Sequence, residues 1–140
     1  MNRTHILKSA LIAGFSLAMA TIAGGCGSST PTSPGVQPQI INQGNGNFQF
    51  QITAMKGYSG ALQYSFSNSA TAADVNQSSA ISAGNVTLSI LDANGTSVYS
   101  QDLNKDGSFV TSTGTAGMWT IIVTPSSATG DLNFRVDSRP

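Results

Sequence analysis

The chain has 140 residues, six basic and six acidic side chains and a single cysteine, and charged residues make up only 9% of it. That length suits one domain with flanking segments, a lone cysteine excludes an intrachain disulfide, and the lack of a basic cluster argues against nucleic acid as a partner. Past residue 26 there is no Glu and no His, so Ser-His-Asp and Cys-His catalysis and a zinc site of Cys and His ligands are excluded and the protein is not expected to be an enzyme.

The first eight residues, Met1 to Lys8, carry Arg3 and Lys8 and form a short basic segment. Residues 9–22 follow, dominated by Leu11, Ile12, Phe15, Leu17 and small Ala residues. A basic start and an apolar run of this length predict a secretory signal helix over residues 1–25. The run is too short for a transmembrane span, which needs about 20 apolar residues. It ends in Ile22-Ala23-Gly24-Gly25-Cys26. Small residues immediately before a cysteine resemble the lipobox of bacterial lipoproteins, although that family prefers Leu where Ala23 stands. The resemblance implies cleavage before Cys26, thioether lipidation of Cys26 and N-acylation of the new terminus. Two or more acyl chains hold a protein stably on a bilayer where one does not. Gly27 replaces the Asp that favours inner-membrane retention in enteric-type bacteria, so the resemblance also implies an outer-membrane address, on either its periplasmic or its outer face.

Residues 27–46 are built of Ser, Thr, Pro, Gly, Gln and Asn. They lack the apolar periodicity to bury a face, which predicts a disordered linker over 26–46, with Ile40-Ile41 as an apolar spot that could open the first strand. Its contour would be about 60 Å, at about 3.3 Å per residue.

From Asn47 the pattern turns to period two, and a domain is expected over 47–140. Phe48, Phe50 and Ile52 alternate with Gln49 and Gln51; Leu62, Tyr64 and Phe66 alternate with Gln63 and Ser65. Val86, Leu88 and Ile90 form a third strand, followed by Asp92-Ala93-Asn94-Gly95, a strong hairpin signal. Thr96 to Leu103 is the return strand, Asn104 to Gly107 a second turn, and Ser108 to Thr111 a short strand. Trp119, Ile121 and Val123, then Leu132, Phe134 and Val136, complete the set. Short strands at regular spacing with turn chemistry between them predict an all-β, antiparallel β-sandwich of jelly-roll-like form. The apolar residues of those strands, Trp119 included, are its expected core. Residues 69–83 show no clear alternation and could be a helix, a loop or an irregular edge. Tyr58, in the Lys56–Gly60 turn, and Tyr99 are expected at the surface.

Two segments, Asp92-x-x-Gly95 closing a strand and Gly117-x-Trp119-x-Ile121-x-Val123 followed by a last strand, resemble the second half of bacterial pre-peptidase C-terminal-type and related jelly-roll domains. The resemblance covers about 50 residues and implies a non-catalytic accessory module, some members of which bind carbohydrate, protein or calcium. The residues themselves offer one metal candidate. Asp102, Asn104 and Asp106 in Asp102-Leu-Asn-Lys-Asp-Gly107 repeat the opening of an EF-hand calcium loop. The acidic residue wanted at its twelfth position is Thr113, and the flanks read as strands. Asp, Asn and Gly also close a hairpin turn with no ion. The expected function is therefore a membrane-anchored envelope lipoprotein with a binding or structural module. A carbohydrate- or calcium-binding accessory domain and a subunit of a surface assembly that pairs sheet edges are the alternatives.

Overall fold

The computed structural model describes residues Gln39–Pro140. The expected signal segment, Cys26 and residues 27–38 of the expected linker lie outside the described residues. Those described form eight strands and no helix: β1 (Gln39–Gly44), β2 (Asn47–Tyr58), β3 (Leu62–Asn68), β4 (Ala72–Gln77), β5 (Ala80–Leu91), β6 (Ser97–Asp102), β7 (Gly107–Val110) and β8 (Gly117–Arg139). Every pairing is antiparallel. The protein is an all-β antiparallel sandwich.

The long strand β8 belongs to both layers. Its first third pairs with β3 on one side, Trp119 opposite Phe66, and with β5 on the other, Ile121 opposite Ile90; β6 flanks β5. Its last third pairs with β2, Phe134 opposite Phe50, and with β4, Val136 opposite Val75. Beyond these lie β1 and β7 as edges. Between the two stretches β8 bends near Pro125 to Gly130, where the registers of β2 and β5 also shift. Such irregularities are how one sheet folds over on itself. The bend requires glycine at position 84. Gly84 has φ +69°, and a Cβ there would lie 2.3 Å from the Ser127 carbonyl oxygen.

Alternation along the strands places the core between the layers. Phe48, Phe50, Ile52, Leu132, Phe134 and Val136 face Phe66, Val86, Leu88, Ile90, Trp119, Ile121 and Val123, and none of them is more than 1% exposed. Tyr64 of β3 reaches across, its ring 5.6 Å from Phe48 and 5.3 Å from Phe50. Each such aromatic pair adds about 1 kcal/mol beyond the area it buries.

Several expectations need correcting. The first strand opens around Ile40-Ile41, the alternative kept for that apolar spot: β1 starts at Gln39 and pairs with β2 through an Asn45-Gly46 turn in which Gly46 takes φ +77°. All six β1 residues are exposed, so the strand is held by backbone pairing and left no hydrophobic pattern. Residues 69–83 contain β4 and the start of β5. β4 is internal, between β7 and β8, and its inward residues are Ala73, Val75 and Gln77, too small or too polar to show alternation. Leu62 and Tyr64 are only half-buried. Tyr58 and Tyr99 are buried, at 5% and 9% exposure, against the surface positions expected for them.

Candidate functional site

The Asp102–Gly107 turn joins β6 to β7 across the two layers. Its second residue, Leu103, is fully buried, and its amide donates to the Val86 carbonyl at 2.8 Å. The three candidate ligands are held in this one turn, and the two carboxylates accept from different backbone amides. Asp102 Oδ1 accepts the Asn104 amide at 2.8 Å, an Asx turn. Asp106 Oδ1 accepts the Ser79 amide at 2.9 Å, which ties the turn to the β4–β5 connection. The buried Gln77 side chain donates its Nε2 to the carbonyls of Asp102 at 3.2 Å and Lys105 at 2.7 Å, and its Oε1 accepts the Tyr99 hydroxyl at 2.7 Å. Four oxygens of this turn thus each accept a protein hydrogen bond. Burial pushes the Tyr99 phenol up to about 12, which keeps it the donor in this chain of bonds. No group of three or more His, Cys, Asp or Glu placed to hold a metal occurs among the described residues.

Asp92 opens the Asp92–Gly95 hairpin turn, and its role extends beyond that turn. It is 5% exposed and serves three backbone amides: Asn94 at 2.9 Å and Thr96 at 2.8 Å through Oδ1, and Thr115 at 2.8 Å through Oδ2. The amides of Thr115 and Thr96, with a smaller contribution from Asn94, hold its carboxyl below the usual carboxylate range. The same cluster holds Trp119, whose indole nitrogen donates to the Thr115 carbonyl at 2.7 Å. Asn94 Nδ2 donates to the Thr115 hydroxyl at 2.9 Å. Gly114 is required beside it, since a Cβ there would come within 2.8 Å of Asp92 Cβ and Val98 Cγ1. The Asp92–Gly95 and Gly117–Val123 segments therefore meet at Thr115, and what they build there is a structural clamp.

The outer face of the layer β1-β2-β8-β4-β7 is polar, lined by side chains that alternate with the core residues. Register places Gln49 beside Arg135, Arg135 beside Asn76, and Asn76 beside Ser108 across four strands. These residues, with Asn133, line an open cleft of about 300 Å³. The outer face of the other layer mixes hydroxyls with aliphatic side chains, Ser89 beside Ser100 and Ile122, and Thr120 beside Ser65 and Leu91.

No protein-family model matches the chain. A search of the curated proteins finds no match either.

Proposed function

We propose that the chain is a bacterial envelope lipoprotein: exported, cut before Cys26, acylated there, and carrying a non-catalytic binding or structural sandwich at the outer membrane. The observation that carries this reading is the order of segments at the start of the chain. A basic stretch, an apolar run of signal length and Ala23-Gly24-Gly25-Cys26 follow one another, and the one cysteine falls where acylation would use it. The described strands are consistent with it. Because β1 begins at Gln39, the spacer between anchor and sheet is residues 27–38, a contour of about 40 Å at about 3.3 Å per residue. Pro31, Pro34 and Pro38 favour an extended spacer.

The chemistry past residue 26 favours binding over turnover. The six Asp residues are the only acids there. Of these, Asp92, Asp102 and Asp106 cap backbone amides, while Asp74 and Asp137 pair with Arg139 and Arg135. Membrane fractionation of wild type and Cys26→Ser, with protease shaving of whole cells, tests the proposal. Wild type is expected with the outer membrane and Cys26→Ser in the soluble fraction; shaving then assigns the face. Wild type in the soluble fraction would contradict it.

A further inference from the structure

The cleft on the outer face of the β1-β2-β8-β4-β7 layer brings together side chains from four separate stretches of the chain. Gln49 comes from β2, Asn133 and Arg135 from β8, Asn76 from β4 and Ser108 from β7. Backbone register sets Gln49, Arg135, Asn76 and Ser108 in a row, with strands about 4.8 Å apart, and Asn133 lies two residues before Arg135 on β8. Gln49 and Asn133 are half-buried, whereas Asn76, Arg135 and Ser108 are exposed.

Two features narrow what such a cleft can take. The first is unspent hydrogen-bonding capacity. Ser108 occupies one arm of the Asn76 amide, at 2.6 Å, and leaves the other arm without a partner among the described residues. The side-chain amides of Gln49 and Asn133 and the terminal nitrogens of Arg135 likewise make no hydrogen bond among the described residues, whereas the Asn133 backbone amide and carbonyl bond the Ser79 hydroxyl. Each amide offers both a donor and an acceptor, which matches a hydroxyl group, itself donor and acceptor. The second feature is local neutrality. Arg135 Nε pairs with Asp137 at 2.8 Å, and Arg139 pairs with Asp74 at 3.2 Å on the same layer. Arg135 is the one charged side chain lining the cleft and carries its own anion, so the cleft gives little net attraction to a charged ligand. Nor does the lining contain an aromatic or aliphatic side chain to receive an apolar one.

We propose that this cleft is a binding site for a neutral polyhydroxylated chain, a glycan without acidic groups, read by the Gln49, Asn76 and Asn133 amides and the Arg135 guanidinium. This deepens the reading of the domain as a binding module and does not depend on the anchor. With no ring to stack a sugar, a single site binds weakly, with Kd on the order of 1 mM. Lipid-anchored copies facing a polymer would gain by avidity, since the second contact becomes intramolecular.

The test uses the full chain, 15N-labelled, both as wild type in detergent micelles and as Cys26→Ser. Maltohexaose, cellohexaose and hexa-N-acetylchitohexaose are titrated to about 10 mM, several times the expected Kd, with an acidic galacturonate oligomer in parallel. At least one neutral oligosaccharide is expected to shift the side-chain amide signals of Gln49, Asn76 and Asn133 and the Arg135 Nε signal, equally in both forms. Gln49→Ala combined with Asn76→Ala is expected to weaken that binding about ten-fold, the effect of losing one or two hydrogen bonds. Gln63→Ala, on the other layer, is expected to leave it unchanged. Both variants should keep the wild-type backbone spectrum, which separates a lost contact from a lost fold. No shift with any of the three neutral oligosaccharides, stronger binding of the acidic oligomer, or shifts confined to the Ser65–Ser100 face would overturn the proposal. Equal glycan binding by wild type and Cys26→Ser upholds the cleft even where fractionation finds no anchor.

Discussion

Two turns of this domain begin from nearly the same residues, Asp92-Ala-Asn-Gly95 and Asp102-Leu-Asn-Lys-Asp-Gly107. In both, the Asp Oδ1 takes the amide of the Asn two residues on, at 2.9 Å and 2.8 Å. There the likeness ends. Asp92 is buried and carries two more amides, one of them from Thr115, 23 residues away. Asp102 is half-buried, and its turn is organised by Gln77 acting on backbone carbonyls. An Asx turn is a local device; it becomes a clamp when the second carboxylate oxygen reaches a distant segment and water is excluded.

The sharpest way to break the comparison is to neutralise both acids. Asp92→Asn removes the charge and sets an NH2 group against a backbone donor, and Tm is expected to fall by on the order of 10 °C. Asp102→Asn keeps a side-chain acceptor for its single amide and is expected to cost under about 1 kcal/mol. Equal losses in thermal melts of the two variants would undo the distinction. Gly114→Ala presses a methyl group onto the Asp92 clamp and is expected to cost about 1–3 kcal/mol by urea unfolding. Gln77→Leu keeps bulk but strands the Lys105 carbonyl and the Tyr99 hydroxyl, while the Asp102 carbonyl keeps the Lys105 amide, an expected cost of about 1–3 kcal/mol.

The pH dependence separates the clamp from the Gln77 network. The Asp92 carboxyl titrates below its ordinary value, so the folded state binds fewer protons than the unfolded one in that range. Its contribution is complete above the ordinary carboxylate pKa and is lost as the pH falls through the lowered value. Tyr99 runs the other way. Its contribution is complete below pH 10 and is lost as the pH rises through the folded value of about 12. Tyr99→Phe is expected to remove part of the alkaline loss and leave the acid limb of a Tm-against-pH curve unchanged. The smallest expected effect is that of calcium. With four oxygens of the Asp102–Gly107 turn already bonded, Tm is expected to stay unchanged in millimolar calcium for wild type and Asp106→Ala alike. A rise in wild type that is absent from Asp106→Ala would assign calcium to this turn.

What could be read in advance follows the size of the buried side chains. Phe48, Phe50, Ile52, Trp119, Ile121 and Val123 announce their strands because large apolar residues at period two have one plausible use. β4 was illegible because the same inward positions are filled by Ala73, Val75 and Gln77, and β1 because it buries nothing. Tyr99 follows the equally buried Val98, so alternation gave no sign of its side, and only the fold supplies its partner Gln77. The role of Asp92 was half legible. The Asp-x-x-Gly turn is visible in the chain, but the Thr115 amide comes from a loop that only the β5–β8 pairing brings near. The cleft had no signal at all, because Gln49, Asn76, Ser108 and Arg135 are ordinary surface residues until register aligns them.

The intact mass of the natively expressed protein, with mapping of its N-terminal peptide, tests the central claim most directly. The expected result is a chain beginning at Cys26 and heavier than its sequence by two or three acyl chains, with the added mass on that residue. A chain beginning elsewhere, or an unmodified Cys26 thiol, would contradict the lipoprotein reading and leave the sandwich a module without this anchor.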